Sequence, residues 1–217
     1  MKTAVNTVRV LFLALFLFLL RSGKMNLWLI LFGVSLLLAL FFGRVFCGYV
    51  CPMHTLMIPT EWLARKFNWQ TKKKPDWLSS GVVAWVGLIL SVAVMIYAKR
   101  VLKRDIPILL FWIALAVLVT LRYRPEVFHN LLCPFGVLQR VFGRPARFSQ
   151  MVTPEGCIGC TKCVQVCPAE AVRMKVDNKA LITPGACLQC TSCTQVCPTK
   201  TIKYQSIHVK PAERVNA

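Results

Sequence analysis

The sequence predicts an α-helical membrane protein with four transmembrane helices, followed by a small α+β module. Three observations lead there. Four apolar runs of 16 to 18 residues occupy much of the first 121 positions. Most Lys and Arg residues flank those runs instead of forming a general basic surface. Eight of the eleven cysteines crowd into residues 157–197 at repeated tight spacing. An apolar share of 56% is too high for an ordinary soluble domain.

The runs are Ala4–Leu20, Leu27–Phe42, Gly81–Ala98 and Ile106–Leu121. At about 1.5 Å per residue each covers about 25 Å, slightly short of a hydrocarbon core of about 30 Å. Trp28, Arg44, Tyr97, Arg122 and Tyr123 are placed to extend them by interfacial anchoring and snorkelling. The first run has the basic start of a secretory leader, but no small-x-small cleavage pattern follows, and Arg21 and Lys24 come at once. It reads as a span. The expected division is a membrane domain over 1–125, with spans near 4–20, 25–43, 81–98 and 106–121. A Cys-Pro segment and linker follow over 126–150, then the module over 151–205 and a tail over 206–217.

Charge sets the orientation. Residues 1–149 hold 19 of the 27 basic residues and four of the eight acidic ones, a formal +15; the remainder carries +4. With the N-terminus inside, 13 basic residues fall on the cytoplasmic side and six outside. Both termini are therefore expected in the cytoplasm, with the protein multi-pass in the inner (cytoplasmic) membrane. The run Lys99–Arg104 departs from this pattern, through an anionic partner outside or a shallower third-and-fourth hairpin. Lys72–Lys74 reads as a topology signal or a lipid headgroup contact. Nucleic acid is not an expected partner, because the cations flank apolar runs. The basic module suits a redox partner protein with an acidic patch.

Residues 157–168 read CIGCTKCVQVCP and residues 187–198 read CLQCTSCTQVCP, an internal duplication of C-x2-C-x2-C-x3-C-P at an offset of 30. An iron–sulfur cubane needs four converging thiolates, and one tight loop turning every third residue inward supplies three. Zinc modules instead place two C-x2-C pairs far apart. Such thiols belong to a reducing compartment. AEAVRM (169–174) and TKTIKY (199–204) read as a short helical turn leading into a strand.

On these motifs, residues 151–204 resemble the bacterial-type two-cluster ferredoxin. The resemblance implies a ferredoxin-like fold, two 4Fe–4S clusters and single-electron transfer. In such proteins the fourth cysteine of each motif serves the other cluster. It therefore implies one cluster on Cys157, Cys160, Cys163 and Cys197, and another on Cys187, Cys190, Cys193 and Cys167.

Two further stretches lie just past even-numbered runs. FCGYVCPMH (46–54) holds Cys47 and Cys51, and FHNLLCPFG (128–136) holds His129 and Cys133. On one side of the bilayer, together they present three thiols and one imidazole. With these the whole chain resembles the four-span membrane iron–sulfur proteins related to the NapH subunit of periplasmic nitrate reductase systems, and the NosR and CcoG/FixG types. In that family two C-x3-C-P motifs precede a two-cluster ferredoxin domain, and members are associated with quinol oxidation, electron delivery or enzyme assembly. Here His129 departs from the pattern, standing where the family has a cysteine. Cys47, Cys51, Cys133 and His129 form a candidate third iron–sulfur or metal site. His54, with Glu61 nearby in sequence, is a candidate base for a quinol. His208 carries no reading.

The expected function is an electron relay between the membrane, through quinone or quinol, and a redox partner. The chain reads as an electron-transfer component of an oxidoreductase complex, not a complete enzyme. The alternatives are an assembly factor supplying electrons for metal or thiol reduction, and a redox-sensing regulator. No G-x-G-x-x-G or P-loop pattern occurs, which argues against nucleotide chemistry.

Overall fold

The computed structural model describes residues 2–71, 81–103 and 108–207. The expectations placed on Lys72–Lys74, Arg104, the first two residues of the fourth apolar run and His208 with the rest of the tail lie outside the described residues.

Helix α1 (Lys2–Arg21) leads into α2 (Met25–Phe42) through a turn at Gly23. Gly23 has φ +68, and the Gly23 and Lys24 amides donate to the Leu20 and Leu19 carbonyls, closing α1 with a left-handed glycine cap. After α2 the chain makes a wide turn over Phe46–Val50, in which the Cys51 amide reaches five residues back to the Phe46 carbonyl at 2.9 Å. Pro52 then opens α3 (Pro52–Lys66), a position where a missing N–H costs nothing. Helix α4 is Val82–Tyr97 and α5 is Ile108–Arg122. A single turn, α6 (Pro125–Val127), leads to a second wide turn over Phe128–Leu132. There the Cys133 amide meets the Phe128 carbonyl at 2.8 Å, and Pro134 opens α7 (Pro134–Gly143).

The apolar helix, wide turn, Cys-Pro and following helix therefore occur twice. The copies exchange helices: α3 of the first lies along α5 of the second, and α7 of the second lies along α2 of the first. Hydropathy does not reveal α3 and α7, because each carries one apolar face among residues such as His54, Glu61, Arg65, Gln139 and Arg140. Phe16, Trp28, Phe32 and Phe46 form the centre, with edge-to-face ring contacts at 5.1 Å (Phe16–Trp28) and 5.3 Å (Phe32–Phe46). Trp112 Nε1 donates to Ser91 Oγ at 2.9 Å, tying α5 to α4, and Gln139 Nε2 donates to Ser35 Oγ at 2.7 Å, tying α7 to α2.

Among the described residues, Thr3–Arg21, Met25–Phe42 and Val82–Val101 are long and apolar enough to cross a membrane; α5, with 15 residues, is apolar but shorter. Their outer faces expose Leu11, Phe18, Ile30, Leu37, Ile89 and Leu90. Each such side chain left in water forgoes about 1.5–3 kcal/mol of burial, so an apolar surrounding suits this band better than water.

The C-terminal module has two antiparallel pairs. Strand β1 (Phe148–Val152) pairs with β4 (Ile202–Ser206), and β2 (Val172–Met174) with β3 (Ala180–Ile182). Helix α7 runs to Gly143 and β1 starts at Phe148, leaving four residues between them. The short helices α8 (Lys162–Gln165) and α9 (Ser192–Val196) carry the third cysteine of each motif, Cys163 and Cys193, and end before the fourth. The sequence reading placed a helical turn after each proline instead. Glu170 and Lys200, at φ +50 and +52, are left-handed there, which a helix does not accept.

Candidate metal centres

The module's duplication extends to its backbone. Gly159 and Gln189, Thr161 and Thr191, and Glu170 and Lys200 are all left-handed and each pair is 30 apart. At Gly159 a Cβ would stand 2.7 Å from the Asn178 carbonyl, so only glycine fits. Gln189 holds the same conformation because its side chain is committed: Nε2 donates to Ser149 Oγ at 2.9 Å and Oε1 accepts from the Gln150 amide at 3.0 Å.

Cys157, Cys160, Cys163 and Cys197 line one pocket, with Val152, Met174 and Ile202 behind them. This set faces outward: Cys160 is exposed and Ile158 is 66% exposed. The Ala180 amide donates to Cys157 Sγ at 3.5 Å. Burial raises the Cys197 thiol, but hydrogen bonds from Thr199 and Thr201 outweigh it and bring Cys197 down to about 7.

Cys187, Cys190 and Cys193 are buried, and Cys167 is beside them. Burial pushes the Cys187 thiol up, and the charges of Cys190, Cys193 and Cys167 add to it. Cys193 is raised to about 12 by burial and then by Cys190 and Cys167. The Ala171 amide donates to Cys167 Sγ at 3.2 Å and the Gln189 amide to Cys187 Sγ at 3.4 Å. Thiols held up in this way stay protonated until a metal displaces the proton.

The third group lies beyond the ends of α2 and α5. Cys47, Cys51 and Cys133 are buried and within electrostatic reach of one another. Burial raises Cys133 to about 12, with Cys47 adding to it, while the Gly136 amide donates to its sulfur at 3.3 Å. Arg44, fully buried, points Nη2 at Cys47 Sγ from 3.9 Å. His129 faces His54: Nε2 of the first lies 3.2 Å from Nδ1 of the second. Burial first, then the Arg9 and Arg44 charges, lower His54 to about 3; burial and His54 hold His129 well below its usual value. Both rings are neutral near pH 7, one donating and one accepting. Glu61 pairs with Arg65 on α3. Beside this group an apolar pocket is lined by Trp28, Phe32, Phe46, Cys51, Met95 and Phe135.

The inner module loop rests on the first wide turn. A Cβ on Gly48 would stand 2.3 Å from the Leu188 carbonyl, so the two backbones touch. Arg9, 6% exposed, donates from Nε to the Gly48 carbonyl and from Nη2 to the Cys190 carbonyl, both at 2.9 Å. Arg44 Nη1 donates to the Ala186 carbonyl at 3.2 Å, and its Nε has no partner among the described residues. The sequence reading took Arg9 and Arg44 as flanking cations and gave Gly48 no role. Arg9 sits inside the first apolar run, and that alone marked it as unusual.

Among the described residues no three His, Cys, Asp or Glu groups stand close enough to grip one ion directly. A single zinc draws its thiolates to about 2.3 Å. The module's thiols instead surround a space, and two buried guanidiniums beside them form no ion pair with a carboxylate among the described residues. A buried cation calls for an anion. An iron–sulfur cluster with four thiolates is one, so the residues fit that group.

A 4Fe–4S binding domain model matches residues 27–70 and again 105–150, the two membrane-part copies, and a 4Fe–4S dicluster domain model matches residues 156–202. The chain is 29% identical over 143 residues to the methylamine utilization ferredoxin-type protein MauN of Methylobacillus flagellatus, covering 59% of this chain and 50% of that protein. It is 26% identical over 167 residues to MauN of Methylorubrum extorquens, covering 68% and 56%. An uncharacterised protein of Methanocaldococcus jannaschii is 27% identical over 148 residues, covering 66% and 59%. The chain thus spans between half and three-fifths of the length of these relatives. No solved structure matches it. The chain carries matches to 4Fe–4S binding domains along most of its length and is similar to MauN-like ferredoxin-type proteins.

Proposed function

We propose that the chain is a four-span, NapH-like inner-membrane protein that relays single electrons between the quinone pool and a redox partner. Both termini face the cytoplasm. Cys157, Cys160, Cys163 and Cys197 hold one 4Fe–4S cluster, and Cys187, Cys190, Cys193 and Cys167 hold the other. When bound, each cluster supplies one-electron redox chemistry.

One observation carries this reading: the loop bearing Cys187 and Cys190 is seated on the membrane-edge turn that bears Cys47, through Gly48 and Arg9. The Ala180, Ala171 and Gln189 amides donate to the sulfurs of Cys157, Cys167 and Cys187 and favour the thiolate. Ile182, Ile202 and Val172 pack among thiols of both sets and exclude water from between them. The outer loop, with Cys160 and Ile158 exposed, is the face offered to a partner. That partner carries an acidic patch to match the basic module.

At the membrane edge, Cys47, Cys51, Cys133 and His129 are a third metal or iron–sulfur site. The apolar pocket beside Cys51 suits a quinone ring. The neutral His54–His129 pair stands next to that site and offers a proton acceptor.

Anaerobic purification in detergent, with iron, sulfide and EPR analysis, tests the reading. About eight irons per chain is the result expected for two cubanes, with more if the third site is an iron site. Colourless or zinc-loaded protein overturns it. Reporter fusions placing the C-terminal module in the periplasm overturn the topology.

A further inference from the structure

The two four-thiol sets differ in one respect that their shared motif does not contain. The inner set has a buried guanidinium against it. Arg9 reaches it from α1, the first apolar helix, and hydrogen-bonds the carbonyl of Cys190 itself at 2.9 Å. Its remaining contacts are the Gly48 carbonyl, the Asn6 side-chain oxygen at 3.4 Å and the face of Tyr49. None of these is a carboxylate. Among the described residues the charge therefore has no counter-ion, although burying an unpaired cation costs several kcal/mol. The outer set has instead Lys179, whose Nζ donates to the Cys157 carbonyl at 2.6 Å from a half-buried position open to solvent.

A cation acts on an electron arriving nearby in proportion to how little water lies between them. Adding one electron to a thiolate-held 4Fe–4S group adds one negative charge. A buried guanidinium stabilises that charge, whereas a solvated ammonium is largely screened. We infer that Arg9 is a potential-setting residue: it raises the reduction potential of the group held by Cys187, Cys190, Cys193 and Cys167 above that of the group held by Cys157, Cys160, Cys163 and Cys197. This deepens, and rests on, the reading that both sets hold 4Fe–4S clusters. The step is a bare electron transfer: one electron enters from a dithionite-reduced viologen mediator, no proton follows, and no bond in the chain breaks.

The test is an EPR-monitored redox titration of the full chain in detergent. The signal altered or lost in Cys190→Ser identifies the inner centre. In Arg9→Gln the inner centre becomes at least tenfold harder to reduce, a downward shift of about 59 mV for a one-electron couple, and the outer centre stays in place. Arg9→Lys keeps the charge and so keeps the inner potential within about threefold of the original. Lys179→Gln moves the outer centre by less than about threefold. An unmoved inner centre in Arg9→Gln overturns the inference. So do equal shifts of both centres, or a fall in Arg9→Lys as large as in Arg9→Gln, which assigns the effect to lost hydrogen bonds instead of charge. Should Arg9→Gln not retain its inner iron, the unmodified chain decides: raising the salt shifts the outer potential at least twice as far as the inner one, and equal shifts overturn the inference. A preparation with no 4Fe–4S signal fails the underlying reading instead, and iron and sulfide analysis tells the two failures apart.

Discussion

The module and the membrane part are both built by duplication, and they have treated their copies differently. Across the 30-residue offset of the module, every cysteine has a cysteine opposite it, and three pairs of left-handed residues correspond. Across the 82-residue offset of the membrane part, the backbone matches while the side chains do not. Phe46 and Phe128 open the same wide turn, and Cys51-Pro52 and Cys133-Pro134 close it. Yet Cys47 stands opposite His129, buried Arg44 opposite buried Glu126, and His54 opposite Gly136. A symmetric donor set suits two like clusters. An asymmetric one, with a cation on one side and imidazoles on the other, suits a site with two unlike faces.

This contrast can be broken most directly at Cys197. If fourth cysteines serve the opposite set, Cys197→Ala abolishes the outer EPR signal, leaves the inner one, and removes about half of the iron. Loss of the inner signal instead would mean uncrossed ligation. The edge group comes next. A double Cys47→Ala, Cys51→Ala variant should lower the iron count if that group is a metal site, and an unchanged count and spectrum would reduce both to packing residues.

A smaller effect is expected where the two duplications meet. Gly48→Ala forces a methyl against the Leu188 carbonyl and should destabilise the seated module by about 1–3 kcal/mol. Faster hydrogen exchange confined to residues 186–191 would report it, and exchange unchanged there would refute the contact. The smallest effect is in pH. The folded His54 pKa is lowered from about 6.5 to about 3, so the unfolded chain takes up its proton first as pH falls. Stability from this pair is complete above about 6.5 and is lost progressively toward 3. Thermal melts of His54→Gln should show a flatter acid limb, and an identical limb would place the sensitivity elsewhere.

What the sequence discloses depends on how local the cause is. The spacing of Cys157 to Cys167 is a property of one loop, so the four-thiol motif is readable at sight. The apolar runs are equally plain, because apolar length is a property of one unbroken stretch of chain. Helices α3 and α7 are less legible, since their apolar faces make sense only against α5 and α2, far away in the chain. Gly48 and Arg9 are harder still. A glycine in a turn is ordinary until the Leu188 carbonyl is found on it, and an arginine near the N-terminus passes for a topology signal until Cys190, 181 residues on, accepts its hydrogen bond.

The close fit between Gly48 and the loop below it also dictates a sequence of events during biogenesis. Cys187, Cys190 and Cys193 are buried with that loop seated, while Cys160 remains at the surface. If these thiols hold a cluster as proposed, delivery of iron and sulfide to them precedes closure of the module onto the Gly48 turn. The outer set, with Cys160 at the surface, stays reachable from solvent at that one corner after closure.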